Sequence, residues 1–159
     1  MSSVPDGSLA EAFAKEHHEI DAAIEKYMAS TDEHPELRAK MLLEAVSALR
    51  RHIFLEEEVV FPHLTRATLM MPLMVMDREH GELWRRMDAL EVSLQSGSAD
   101  EQLATDCQEL LSLLENHNSK EEPIIYPQMD TALSVQEQQQ VAHLLAGGVL
   151  PEDWICQDA

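Results

Sequence analysis

The chain has 159 residues, 45% of them hydrophobic, 26% charged and only 4% aromatic, which is enough apolar material for one domain with a sizeable core. With 11 Lys and Arg against 30 Asp and Glu the net charge is −19, so the basic surface that nucleic acids or anionic membranes need is missing. No apolar run approaches the ~18 residues of a membrane span, the start Met1-Ser2-Ser3-Val4-Pro5-Asp6 has no signal-peptide character, and two cysteines without metal-type spacing, Cys107 and Cys156, make a reducing cytoplasm the expected setting.

Ser8-Leu9-Ala10-Glu11 has the form of a capping box that opens a first helix. Along it Leu9, Phe13, His17, Ile20, Ile24 and Tyr27 recur three and four apart, the period of a buried helix face. Pro35 suits the first turn of a second helix, whose stripe is Leu42, Ala45, Leu49, His52, Glu56, Val59 and His63. Pro72 is read in the same way at the start of a third, with Leu73, Met76, His80, Leu83, Met87, Leu90 and Leu94. After Gly97, Ser98-Ala99-Asp100-Glu101 opens a fourth, which carries Leu103, Cys107, Leu110, Leu114, His117 and Glu121. Pro123 lacks a backbone donor and clashes with the carbonyl of Ser119, which predicts a kink there. Ser134-Val135-Gln136-Glu137 opens a short fifth helix that ends near Gly147-Gly148, and the tail 149–159, with Trp154 and Ile155, is expected to pack back or mediate contacts. The heptad-like stripes predict an all-α fold, an up-down-up-down four-helix bundle with a short C-terminal fifth helix and tail. One domain is expected over 1–159, with the bundle at about 8–130 and the helix and tail at 134–159.

The chain also repeats itself. His52-Ile53-Phe54-Leu55-Glu56-Glu57 leads to Phe61-Pro62, and His117-Asn118-Ser119-Lys120-Glu121-Glu122 leads to Tyr126-Pro127. Both read H-x-x-x-E-E-x-x-x-aromatic-P. Upstream, Glu16-His17-His18-Glu19 echoes Glu79-His80-Gly81-Glu82, with His17 and His80 63 residues apart and His52 and His117 65 apart. Two helix pairs of one design, related by a pseudo-twofold axis, are the natural reading.

Residues four apart share a helix face, so His52 with Glu56 and His117 with Glu121 reach one point of the bundle interior. His17 and His80 join them from the middle of apolar stripes. His18 is the alternative to His17, but it lies beside Asp21 and Glu25, off the stripe. A lone histidine on such a stripe is ordinarily a core residue, and a lone H-x-x-x-E is common on exposed helices. Four helices that each contribute one, two of them with a glutamate at identical spacing, make coincidence a poor account. Buried carboxylates and imidazoles are unfavourable without compensating charge. Metal ions supply it, and this donor set suits iron, manganese or zinc. Two carboxylates with four histidines suit two ions, each glutamate bridging both.

On these motifs the chain resembles the hemerythrin HHE cation-binding family over roughly residues 8–146. The resemblance implies a bundle holding a non-haem di-iron centre with an oxo, hydroxo or water bridge, manganese or zinc being substitutes. It implies His17, His52, His80 and His117 as terminal ligands and Glu56 and Glu121 as bridging carboxylates. Ferritin-like di-iron proteins use Glu-x-x-His instead, the reverse order at another spacing. Oxygen-carrying hemerythrins have a fifth histidine one turn before that of helix three. Met76 stands there, so the resemblance is to the four-histidine branch and argues against simple oxygen carriage.

Several further residues are placed by position alone. His63 is weighed as a fifth ligand against a helix-end role, and Glu57 and Glu122 as supports of ligand histidines against surface residues. Trp84 and Met87 are expected to wall the pocket, Cys107 to be inert core and Cys156 a free thiol. The expected function is binding of, or reaction with, O2, NO or peroxide at an open iron position. The alternative is a gas, iron or redox sensor, or an iron-centre repair protein, acting through a partner. Turnover, and a homodimer, are left open.

Overall fold

The computed structural model describes residues 8–31, 33–64, 66–98 and 100–159; segment 1–7, and Ala99 of the second capping box, lie outside the described residues. The elements are α1 (Leu9–Ala29), α2 (Pro35–Phe54), α3 (Arg66–Gln95), α4 (Asp100–Ile124), α5 (Tyr126–Ala132) and α6 (Val135–Gly147). Between α2 and α3 lie a π-helical turn, Leu55–Val60, and a 3-10 turn, Phe61–His63. Helix α1 packs on α2 and α4, and α3 on α2 and α4, so the four long helices close a ring. Short connections make sequential neighbours antiparallel. The predicted bundle with its C-terminal helix is the observed fold.

Local signals act much as expected. Ser8 Oγ accepts the Glu11 N–H at 3.1 Å and caps α1. Pro35 is at the start of α2. Ser134 and Glu137 form a full capping box on α6, with both reciprocal bonds present.

Two elements differ from the sequence reading. Helix α3 begins at Arg66, so Pro72 lies inside it rather than at its first turn. Leu69 is buried one turn before Leu73, and this extra anchor carries the helix past the proline. The second stripe does not run as α-helix to His63. The π-turn inserts one residue per turn, the Phe61 N–H reaching back to the Glu56 carbonyl. The slip buries Val60 in place of Val59 and leaves His63 exposed. In the second half α4 continues through Pro123 to Ile124 and breaks at Ile125, after which Pro127 sits in the first turn of α5.

The apolar residues fall into two clusters. One joins Ile20, Ile24, Leu42, Leu49, Leu83, Met87, Leu110 and Leu114. The other joins Leu9, Phe13, Val60, Phe61, Leu73, Met76, Ile125, Tyr126 and, from α6, Val141. On each stripe the inward polar residues lie between them: His17 between Phe13 and Ile20, His80 between Met76 and Leu83, His117 and Glu121 between Leu114 and Ile125. A polar layer is thus sealed above and below by hydrocarbon.

The tail packs back, as expected. Trp154 lies edge-on to Phe54 and Trp84 and donates to Glu58 Oε1 at 3.0 Å. Arg51 ties down the end of α6 through the carbonyls of Leu145 at 2.8 Å and Gly148 at 3.0 Å. Cys156 is free but buried, and burial pushes its thiol and that of Cys107 up to about 11. Among the described residues no helix is long and apolar enough to cross a membrane.

Candidate metal centre

The polar layer gathers all six residues singled out by spacing. His17, His52, Glu56 and Glu121 form one group whose donor atoms lie within 4.8 Å of one another; Glu56, His80, His117 and Glu121 form a second. All six side chains are buried. His18 is exposed, so the structure favours the placement of His17.

The carboxylates divide themselves between the groups. Glu121 turns Oε1 to His17 Nε2 at 3.2 Å and Oε2 to His117 Nε2 at 3.2 Å. Glu56 turns Oε2 to His52 Nε2 at 3.5 Å and Oε1 to His80 Nε2 at 3.2 Å. All four rings therefore face inward through Nε2, and each carboxylate presents one oxygen to each histidine pair.

The four Nδ1 atoms face outward, and each meets a glutamate. His52 pairs with Glu16 at 2.8 Å and His117 with Glu79 at 2.9 Å. His80 pairs with Glu57 at 2.7 Å and His17 with Glu122 at 3.2 Å. The internal repeat is legible in this pattern. The glutamate before each histidine of α1 and α3 supports the next helix's histidine, and the glutamate after each shared carboxylate supports His17 or His80. Outward carboxylates of this kind fix ring orientation and tautomer and raise ligand basicity.

Electrostatics are those of a buried imidazolium–carboxylate cluster. Burial opposes charge on His52, but the charge of Glu56 and the bonds to Glu16 and Glu56 lift its pKa to about 10. Burial likewise opposes charge on His80 and His117, and their carboxylate partners raise both. Glu121 and Glu56 are held below the usual carboxylate range despite burial, Glu121 chiefly by the charge of His117 and Glu56 by that of His52.

Tyr126, the aromatic of the second half's aromatic-Pro motif, stands at the heart of the first group. Its hydroxyl lies 2.8 Å from His17 Nε2, 2.9 Å from His52 Nε2, 2.8 Å from Glu56 Oε2 and 2.9 Å from Glu121 Oε1. Its counterpart in the repeat, Phe61, stacks on the His80 ring at 5.9 Å and offers no polar atom. The difference shows in the hydrogen-bond accounting. Glu56 Oε1, His80 Nε2 and Glu121 Oε2, all of the second group, are buried without a hydrogen-bond partner among the described residues. Such orphans are rare and unfavourable unless something else satisfies them. An imidazole nitrogen and two carboxylate oxygens that converge at ion-pair distance without a hydrogen bond fit a divalent or trivalent cation.

Other expectations fall away from the site. His63 pairs with Glu137 at 3.0 Å at the start of α6, because the π-turn and Pro62 rotate it outward, so it is no fifth ligand. Trp84 faces Arg50 and Trp154 and, with Met87, belongs to the apolar cluster that seals one side of the polar layer. Met76, one turn before His80, is buried among apolar side chains.

The family model of the hemerythrin HHE cation binding domain matches residues 8–129. No curated protein and no solved structure matches the chain.

Proposed function

The chain belongs to the hemerythrin HHE cation-binding family, and from that premise we propose that its polar layer holds two iron ions that meet O2, NO or peroxide. His17 and His52 would hold one ion, His80 and His117 the other, and Glu56 and Glu121 would span both. The observation that carries this reading is the division of each carboxylate's oxygens between two histidine pairs, with the orphaned atoms of the second pair. Iron held there would supply electron exchange with a small oxidant. The protein's own part is to orient four imidazoles through outward glutamates and to exclude bulk water with two apolar clusters. Met76 in place of another histidine favours reaction or sensing over carriage.

The test is reaction of the reduced, iron-loaded protein with O2, NO and peroxide in turn, followed by absorption spectroscopy. A change of spectrum with at least one of them is expected. An iron-loaded protein indifferent to all three would contradict the function while leaving the metal centre standing.

A sensing role has one observation of its own. Glu57, whose Oε2 meets His80 Nδ1 at 2.7 Å, accepts the tail's Gln157 N–H on its other oxygen at 3.0 Å. A single side chain thus links the centre to the C-terminal tail, and metal or gas occupancy would reach a partner by that route.

A further inference from the structure

We propose that the Tyr126 oxygen is a fifth protein donor to the ion held by His17 and His52, which makes the two metal positions chemically unlike. The inference rests on the two-metal reading above and adds a ligand that the H-x-x-x-E spacing does not contain.

With metal–donor bonds of about 2.0–2.1 Å, cis neighbours in an octahedron stand about 2.9 Å apart. The Tyr126 oxygen is 2.8–2.9 Å from all four donor atoms of the first group. It is therefore placed as a common cis neighbour, an apex over the other four.

Hydrogen bonding alone is a poor explanation of the same contacts. A phenol has one proton to donate. Two buried carboxylate oxygens, Glu56 Oε2 and Glu121 Oε1, lie within hydrogen-bond distance and must share it. The hydroxyl is thus over-subscribed as a donor, whereas as a metal ligand it needs no proton. On coordination the phenol's proton leaves with the others that metal binding releases. Phe13 at 5.6 Å and the His17 ring at 5.3 Å pin the Tyr126 ring, so the oxygen is held in place before an ion arrives.

The repeat sharpens the consequence. Phe61 takes the same position in the first half and lies flat against His80. Five protein donors then face one ion and four the other. The exchangeable place, and with it the site of an external ligand, belongs to the ion at His80 and His117.

Ferric-loaded wild type, Tyr126→Phe and Phe61→Tyr test the assignment by metal analysis, visible absorption and resonance Raman with excitation in the visible band. Wild type should hold two ions per chain and show a tyrosinate-to-iron band whose excitation enhances tyrosine ring modes. Tyr126→Phe should lose band and modes and bind its first-position ion at least about tenfold more weakly. Phe61→Tyr should weaken azide binding by filling the exchangeable place. Wild type with two ions and no tyrosinate signature would overturn the assignment alone. So would a band that survives Tyr126→Phe. Wild type with no bound metal would overturn the two-metal reading and the ligand together. The wild-type Raman spectrum decides the matter even if either variant fails to fold.

Discussion

Each inner histidine is gripped from behind by one carboxylate that belongs to a different helix. Glu122 is the simplest of these, since its bond to His17 joins α4 to α1 and it is partly exposed. Losing such a support lowers metal affinity by about 10–100-fold. Glu122→Ala is expected at the low end of that range, measured by competition with a chelator, while the exposed Glu115→Ala should leave affinity unchanged. An unchanged affinity in Glu122→Ala would mean that the ring is positioned by packing alone. At this scale spacing revealed the six inward residues, because i,i+4 pairs and stripe phase are local facts. It revealed Glu57 and Glu122 only as alternatives to surface residues, and Glu16 and Glu79 not at all. Their partners sit on other helices, at separations no local pattern encodes. Tyr126 had a signal that went unread: of the two aromatic-Pro motifs in the repeat, one is tyrosine and the other phenylalanine.

The helices set the depth and phase of these side chains. Stripe phase and caps made the four long helices legible. The π-turn at Leu55–Val60 was not, because nothing in Leu-Glu-Glu-Glu-Val-Val distinguishes a widened turn from an ordinary one. A close approach of the tail to α3 lies beside the centre. A Cβ on Gly81 would clash with the Asp158 carbonyl oxygen, so the glycine next to His80 is what lets the tail lie against α3. Arg85 holds the same carbonyl at 3.0 Å. Gly81→Ala should push the tail off, exposing 149–159 to proteolysis and moving Trp154 fluorescence, with the bundle's helical circular dichroism retained. A tail that stays protected in this variant would show that Trp154 packing holds it without the close approach.

Across the whole molecule, two apolar clusters bury the polar layer, and burial makes its charges interdependent. In the metal-free protein this has a signed consequence for stability. His52 has its folded pKa raised from 6.5 to about 10, so its contribution is complete below about 6.5 and is lost as pH rises towards 10. Glu121 and Glu56 are lowered from 4.5, so theirs is present above 4.5 and is lost as pH falls through their folded values. Metal-free protein should therefore be most stable between about pH 4.5 and 6.5 by thermal unfolding. Metal ions need the imidazoles neutral, so the extra stability they confer should grow as pH rises above that window. A metal-free protein that gains stability from pH 6.5 to 9 would contradict the imidazolium cluster.

The central claim, that one buried layer holds two ions, is tested most directly by anaerobic titration of metal-free protein with ferrous iron, read as ions bound per chain. Two per chain are expected, one for each histidine pair, with binding abolished when His52 and His117 are both replaced by alanine. A wild-type chain that saturates at about one ion or fewer, or a double variant that still binds two, would contradict it.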